Sequence, residues 1–259
     1  MFDDVINDLK SWFQQKEATG ETKHYQLSAD EIRNEPDQNG GQSGIILKED
    51  TLLELGHPSV GSLNASLTTN ESSLIDNGHI TVIGPEISEM QGRQLPFAQI
   101  AVGSCQEQVN DLPFLMDRAL HTSAQTDEYM VRTQPGAIWA RLSKSAATSG
   151  FSFEQLGKRL IQSLLHKIDS LEHLELFFVT GHKSDIGELT EIIAPAKTRL
   201  NKLKTFARTD DGEYECSTDL DCDDCSEQEV CDTIRDVIKI RKGDRIIHFD
   251  EDSDPKPGS

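Results

Sequence analysis

The chain has 259 residues, enough for one large domain or two small ones at about 150 residues per domain. Lys and Arg total 25 against 45 Asp and Glu, a formal net charge of -20 and a pI near 4.7. That balance argues against gripping a nucleic-acid backbone, which needs clustered cations, and against docking on anionic lipid. No window approaches the roughly 20 apolar residues of a membrane span. The opening MFDDVINDLKSWFQQKE sets acids among its apolar positions, unlike a secretory leader. The expectation is a cytoplasmic protein with neither nucleic-acid nor membrane partners.

Residues 1–18 read as a short amphipathic helix, with Val5, Leu9, Trp12 and Phe13 near one face. The stretch 19–43 is polar, holds Pro36 and ends in Asn39-Gly40-Gly41, so it reads as a linker. From Gly44 the texture changes. Ile45-Ile46-Leu47, Leu52-Leu53-Glu54-Leu55 and His79 to Ile83 are short β-type runs punctuated by Gly and Pro. Pro96 to Gly103 is nearly continuous apolar sequence and predicts a central strand.

The period then lengthens. Leu112, Leu115, Met116, Ala119 and Leu120 predict a helix from about Val109 to Glu128, and Ala137 to Leu142 a strand. Ser152 is a candidate N-cap for a helix through His166, with Leu156, Leu160, Leu164 and Leu165 on its buried side. Leu174 to Thr180 predicts a strand and Asp185 to about Phe206 a final helix. Alternating strands and helices imply an α/β or α+β fold over 44–206, a layered domain of mixed sheet and helices. A Cys-rich metal segment with a charged element after it follows at 207–242, then a polar tail at 243–259.

Cys105 stands alone at the end of an apolar strand, with no basic residue beside it, and reads as a buried structural thiol. Cys216, Cys222, Cys225 and Cys231 crowd into sixteen residues with the spacing C-x5-C-x2-C-x5-C. Two residues between Cys222 and Cys225 let both sulfurs face one metal, and the outer pair completes a four-sulfur shell. Structural zinc usually takes two separated C-x2-C pairs, so the single short run favours a [4Fe–4S] cluster. Zinc is the alternative, and an acidic loop without metal a third. About a dozen Asp and Glu flank the thiols, with only Arg208 and Arg235 to counter them. Such acidity disfavours free thiolate, and a bound cation would reverse the penalty.

The core segment also carries a resemblance. Glu54-Leu55-Gly56-His57-Pro58-Ser59-Val60-Gly61-Ser62, Ile80 to Pro85 and Pro113 to His121 resemble the β subunit of the carbon monoxide dehydrogenase/acetyl-CoA synthase complex. The likeness is clearest at Ile138-Trp139-Ala140-Arg141-Leu142-Ser143-Lys144, followed by Gly150-Phe151 and Leu156 to Leu160. The resemblance implies a place in one-carbon metabolism, where such proteins assemble acetyl-CoA from a corrinoid-borne methyl group, carbon monoxide and coenzyme A at a nickel site bridged to [4Fe–4S]. It matches Cys222 and Cys225 to the family's C-x2-C cluster ligands and Cys231 to the next cysteine, with no counterpart for Cys216. The family's Cys-Gly-Cys nickel motif does not occur here, so nickel is not expected.

The same resemblance brings coenzyme A near Arg118, His121, Trp139, Arg141 and Lys144, as phosphate contacts and a stacking face. Three of them also have a plainer reading: Trp139 as core, Arg141 and Lys144 as solvent-facing strand residues. His57 before Pro58 reads as part of a turn. Gly40-Gly41-Gln42-Ser43-Gly44 precedes a strand and so fails as a dinucleotide loop, and no phosphate loop or nucleophile elbow occurs. The expected function is an acetyl-CoA-synthase-like iron–sulfur protein binding coenzyme A, or partnering a corrinoid protein, CO dehydrogenase or a reductase. The alternative is a non-catalytic electron-transfer or assembly module.

Overall fold

The computed structural model describes residues 2–18, 20, 22–34, 45–90, 94–106, 112–126, 128–134, 136–202, 206–208 and 214–216, from 201 onward as backbone alone. In chain order the elements are α1 (Asp3–Glu17), β1 (Thr22–Gln26), α2 (Ala29–Arg33), β2 (Thr51–Leu55), β3 (Ser62–Thr69), β4 (His79–Ile83), β5 (Gln94–Leu95) and β6 (Phe97–Ser104). Then come α3 (Leu112–Ala124), β7 (Tyr129–Gln134), β8 (Ala137–Ser143), α4 (Ala146–Ser149), α5 (Phe153–Lys167), β9 (His173–Val179), α6 (Lys183–Lys202), β10 (Phe206–Arg208) and β11 (Tyr214–Cys216). They form two compact units, Met1–Asn201 and Lys202–Ser259.

The first unit is built on a five-stranded sheet ordered β1-β4-β9-β6-β3. β4 with β9 and β3 with β6 run parallel, and the other two pairs are antiparallel, so the sheet is mixed. β6 is buried along its whole length, as its nearly continuous apolar run predicts. Alternate residues serve two cores. Ala98, Ile100 and Val102 pack with α1 and α6, while Phe97 and Ala101 face α3 and α5. A second sheet, ordered β5-β2-β8-β7, joins the α3/α5 core through Leu53, Leu55, Ile138, Ala140 and Leu142. The fold is therefore mixed α/β with two mixed sheets.

α1 is amphipathic as expected and forms part of the core layer. The Phe13 ring stacks on Phe177 at 4.2 Å, and Trp12 Nε1 donates to Glu188 at 2.7 Å. Ser152 accepts from the Gln155 amide and caps α5.

The polar stretch 19–43, expected as a linker, contributes two elements. β1 is an edge strand whose ladder bonds come from its backbone, so a polar TKHYQ serves. α2 is started by a capping box of Ser28 and Glu31, and Gln162 of α5 donates to the Glu31 carbonyl at 2.6 Å. Ile45-Ile46-Leu47 is not a strand: Ile46 is buried, whereas Ile45 and Leu47 are exposed. α3 ends at Ala124, short of the predicted Glu128, because Thr126 and Tyr129 exchange backbone hydrogen bonds at the entry to β7. α6 closes at Lys202, and Phe206 lies in β10.

In the second unit, β10 and β11 pair antiparallel, with Phe206 opposite Cys216. Of the four clustered cysteines, Cys216 is placed here by its backbone. Cys222, Cys225 and Cys231, the charged element to 242 and the tail at 243–259 lie outside the described residues.

Candidate functional site

The outer face of the smaller sheet follows directly from the period of two along β8. Ile138, Ala140 and Leu142 point into the core, leaving Ala137, Trp139 and Arg141 on the other side. Register completes the face: Glu54 of β2 lies opposite Arg141, and Arg132 of β7 opposite Trp139. Together with Gly56, His57 and Ser62 these residues line a cleft of about 650 Å³, within the size range of small-molecule sites. Trp139 is half-buried there, with the Arg141 guanidinium over its ring at 4.7 Å. It is a cleft wall and not a core residue.

Arg141 is already engaged. Its Nε donates to Glu54 Oε1 at 3.0 Å and its Nη1 to the Ile46 carbonyl at 3.1 Å. Burial pushes the Glu54 carboxyl up, but hydrogen bonds from Gln94 and Arg141 and the Arg141 charge outweigh this and hold it below the ordinary range. Arg141 therefore braces Trp139 and ties the 45–50 segment to the sheet. Arg132, by contrast, is exposed and has no ion-pair partner among the described residues.

Lys144 lines a neighbouring cleft of about 720 Å³ with Lys48, Glu49 and Gln94, and the two clefts share Glu54. Arg118 and His121 line neither. Both sit on α3, which Asn64 and Ser66 of β3 fasten by donating to Asp117 Oδ1 at 3.0 and 2.9 Å. Burial pushes the Asp117 carboxyl up, against those two hydrogen bonds. His121 Nδ1 lies 3.3 Å from Thr133 Oγ1, and Thr133 neighbours Arg132 on the opposite face of β7. The five residues expected around coenzyme A thus divide between the paired clefts and α3.

Sequence reasoning missed Arg132 because the run YMVRTQ, between the helix predicted to end at Glu128 and the strand predicted from Ala137, carries no assignment there, although it is a β-type run. His57 was assigned to the turn alone. It does form the turn: its Nδ1 lies 2.8 Å from Ser59 Oγ and accepts from the Ser59 amide at 3.3 Å. It is also cleft lining. No helix among the described residues is long and apolar enough to cross a membrane.

The fold and this aromatic–cationic cleft define a mixed α/β domain with a recessed face on its smaller sheet. A family model, the CO dehydrogenase/acetyl-CoA synthase complex beta subunit, matches residues 40–184, which run from before β2 to the start of α6. The chain belongs to that family. It is 25% identical over 199 residues to an acetyl-CoA decarbonylase/synthase complex subunit beta 2 of Methanosarcina thermophila, covering 75% of this chain and 41% of that protein. It is 28% identical over 165 residues to the subunit beta of Methanothermobacter thermautotrophicus, covering 63% and 34%. Against a carbon monoxide dehydrogenase/acetyl-CoA synthase subunit alpha of Moorella thermoacetica the identity is 25%, covering 57% and 20%. The chain thus spans less than half the length of each of these relatives.

Proposed function

We propose that this chain is an iron–sulfur member of the family that binds coenzyme A on the outer face of its smaller sheet. The observation that carries the reading is the Trp139–Arg132 cleft: an aromatic face beside a cation with no ion-pair partner among the described residues, on a chain of net charge -20. Trp139 offers a stacking surface for adenine, Arg132 a partner for phosphate, and Lys144 with Lys48 further cations along the adjoining cleft. Arg141 positions Trp139, and Arg118 and His121 stand apart from the ligand.

Cys216, Cys222, Cys225 and Cys231 would hold the cluster. The donor set fits, since four thiolates are the shell of [4Fe–4S], and zinc is the alternative occupant. Such a cluster supplies one-electron transfer when bound. The relatives' names support a place within a complex containing CO dehydrogenase. The proposal adds a cytoplasmic setting and a corrinoid protein or a reductase as a further partner.

Calorimetry of the full chain with coenzyme A tests the reading. Binding by the wild type is expected to weaken about tenfold in Trp139→Ala, the order of one base–aromatic stack. No binding at millimolar coenzyme A, or undiminished binding by Trp139→Ala, overturns the cleft assignment. Iron and acid-labile sulfide on anaerobically prepared protein test the cluster. One zinc and no sulfide would leave a structural metal site.

A further inference from the structure

We propose that His57 is the specificity-determining hydrogen-bond donor of this cleft, with Nδ1 turned to the Ser59 amide and the donating proton carried on Nε2. The inference rests on the coenzyme A reading and adds to it the atom that selects an acceptor oxygen on the ligand.

The argument starts from what a backbone amide can do. The Ser59 N–H can only donate, and it points at His57 Nδ1 from 3.3 Å. That nitrogen must present its lone pair, so in the neutral ring the proton sits on Nε2. The Ser59 hydroxyl, 2.8 Å away, is able to donate to the same nitrogen once that nitrogen presents its lone pair. Its other neighbour, Gln94 Oε1, lies farther off at 3.5 Å.

The local sequence builds this device. In Gly56-His57-Pro58-Ser59, Pro58 fixes its own φ and turns the chain back, so the amide two residues on reaches the imidazole. Val60 and Gly61 close the turn by donating to the His57 carbonyl. The ring edge carrying Nδ1 is thereby spent on the turn, and the edge carrying Nε2 is left for the cleft that His57 lines. Nε2 has no hydrogen-bond partner among the described residues.

The ligand chemistry follows from the neighbours. Arg132 offers charge and Trp139 a flat apolar face. A directional N–H in the same cleft lining suits a phosphoryl or carbonyl oxygen of a nucleotide-type ligand and rejects a donor in that place.

Two measurements test this on the full chain. Nitrogen-15 imidazole shifts above the range where histidine protonates are expected to report the Nε2–H tautomer for His57, and an Nδ1–H tautomer overturns the proposal. Coenzyme A calorimetry then compares His57→Ala with His57→Gln, whose amide nitrogen falls near the Nε2 position. The alanine variant is expected to bind about tenfold more weakly and the glutamine variant within a few-fold of wild type. Equal binding by His57→Ala overturns the role of His57 while leaving the cleft assignment standing. Absence of coenzyme A binding by the wild type overturns the cleft assignment itself, and His57's role with it.

Discussion

The Ser62 hydroxyl makes both backbone hydrogen bonds of Ile138, donating to its carbonyl at 2.6 Å and accepting from its amide at 2.7 Å. One side chain at the start of β3 thus takes the place of a missing ladder partner for β8 and joins the larger sheet to the smaller. Gly56 passes just beside this clip. A Cβ there would sit 2.1 Å from the Ile138 carbonyl oxygen, and its φ of 68° is left-handed. Ser62→Ala strands a buried amide and carbonyl and is expected to cost about 1–3 kcal/mol in denaturant unfolding. Gly56→Ala adds a backbone clash to left-handed strain and is expected to cost more than about 2 kcal/mol. A Ser62→Ala protein as stable as wild type would show that the clip carries no net stabilisation.

Tyr129 begins β7 fully buried, its ring stacked against Phe151 at 5.7 Å, and its hydroxyl has no hydrogen-bond partner among the described residues. Burial alone pushes the phenol above its ordinary value. A buried hydroxyl without a partner is a desolvation cost with no return. Tyr129→Phe keeps the ring and is expected to leave stability unchanged or raise it by about 1 kcal/mol. A loss above that size would reveal an internal water or partner that the hydroxyl serves.

The parts of the fold legible in the sequence were those where one physical signal dominates. β6 and β9 are largely apolar runs, broken inside by Gln99 and Glu175, and α5 couples an N-cap serine to leucines at helical spacing. β3 was missed although Leu63, Ala65 and Leu67 alternate correctly, because Asn64, Ser66 and Thr68 on the other face look solvent-bound. They are buried, and the first two are spoken for by Asp117. β1 and α2 were hidden by polarity, since an edge strand and a capped single-turn helix need little apolar sequence. The site was half legible. Trp139 and Arg141 stand out in β8, but Arg132 and His57 join them through register and a turn, which no local pattern encodes.

Glu86 gives a pH signature with a definite sign. Burial is the main influence on its carboxyl and raises it above the ordinary 4.5, outweighing the Phe153 amide that donates to Oε1 at the start of α5. Protons therefore bind more tightly in the folded state than in the unfolded chain. That contribution is favourable below 4.5, and it turns into a penalty as pH rises through the folded value. Glu86→Gln keeps an acceptor for the Phe153 amide and removes the desolvated charge. Its stability relative to wild type is expected to grow between pH 4 and pH 7, read from paired unfolding curves. A constant difference across that range would mean that the charge is as well solvated in the native protein as in the unfolded one.

Thiol reactivity separates Cys105 from the C-terminal cluster. Cys105 follows β6 with 3% exposure, its amide donating to the Thr69 carbonyl at 3.1 Å and its Sγ lying 3.8 Å from the same oxygen. A thiol in that position is screened from reagents. Of the five cysteines, four are expected to be masked by metal in native protein and to react after chelation under reducing, anaerobic conditions. The fifth is expected to react only on global unfolding. Cys105→Ser should remove that slow phase and leave metal content unchanged, whereas Cys225→Ser should lose metal and leave the slow phase intact. Rapid labelling of all five cysteines before chelation would show that neither protection exists. Four slow and one fast would reverse the assignment, placing the burial at the cluster and the exposure at Cys105.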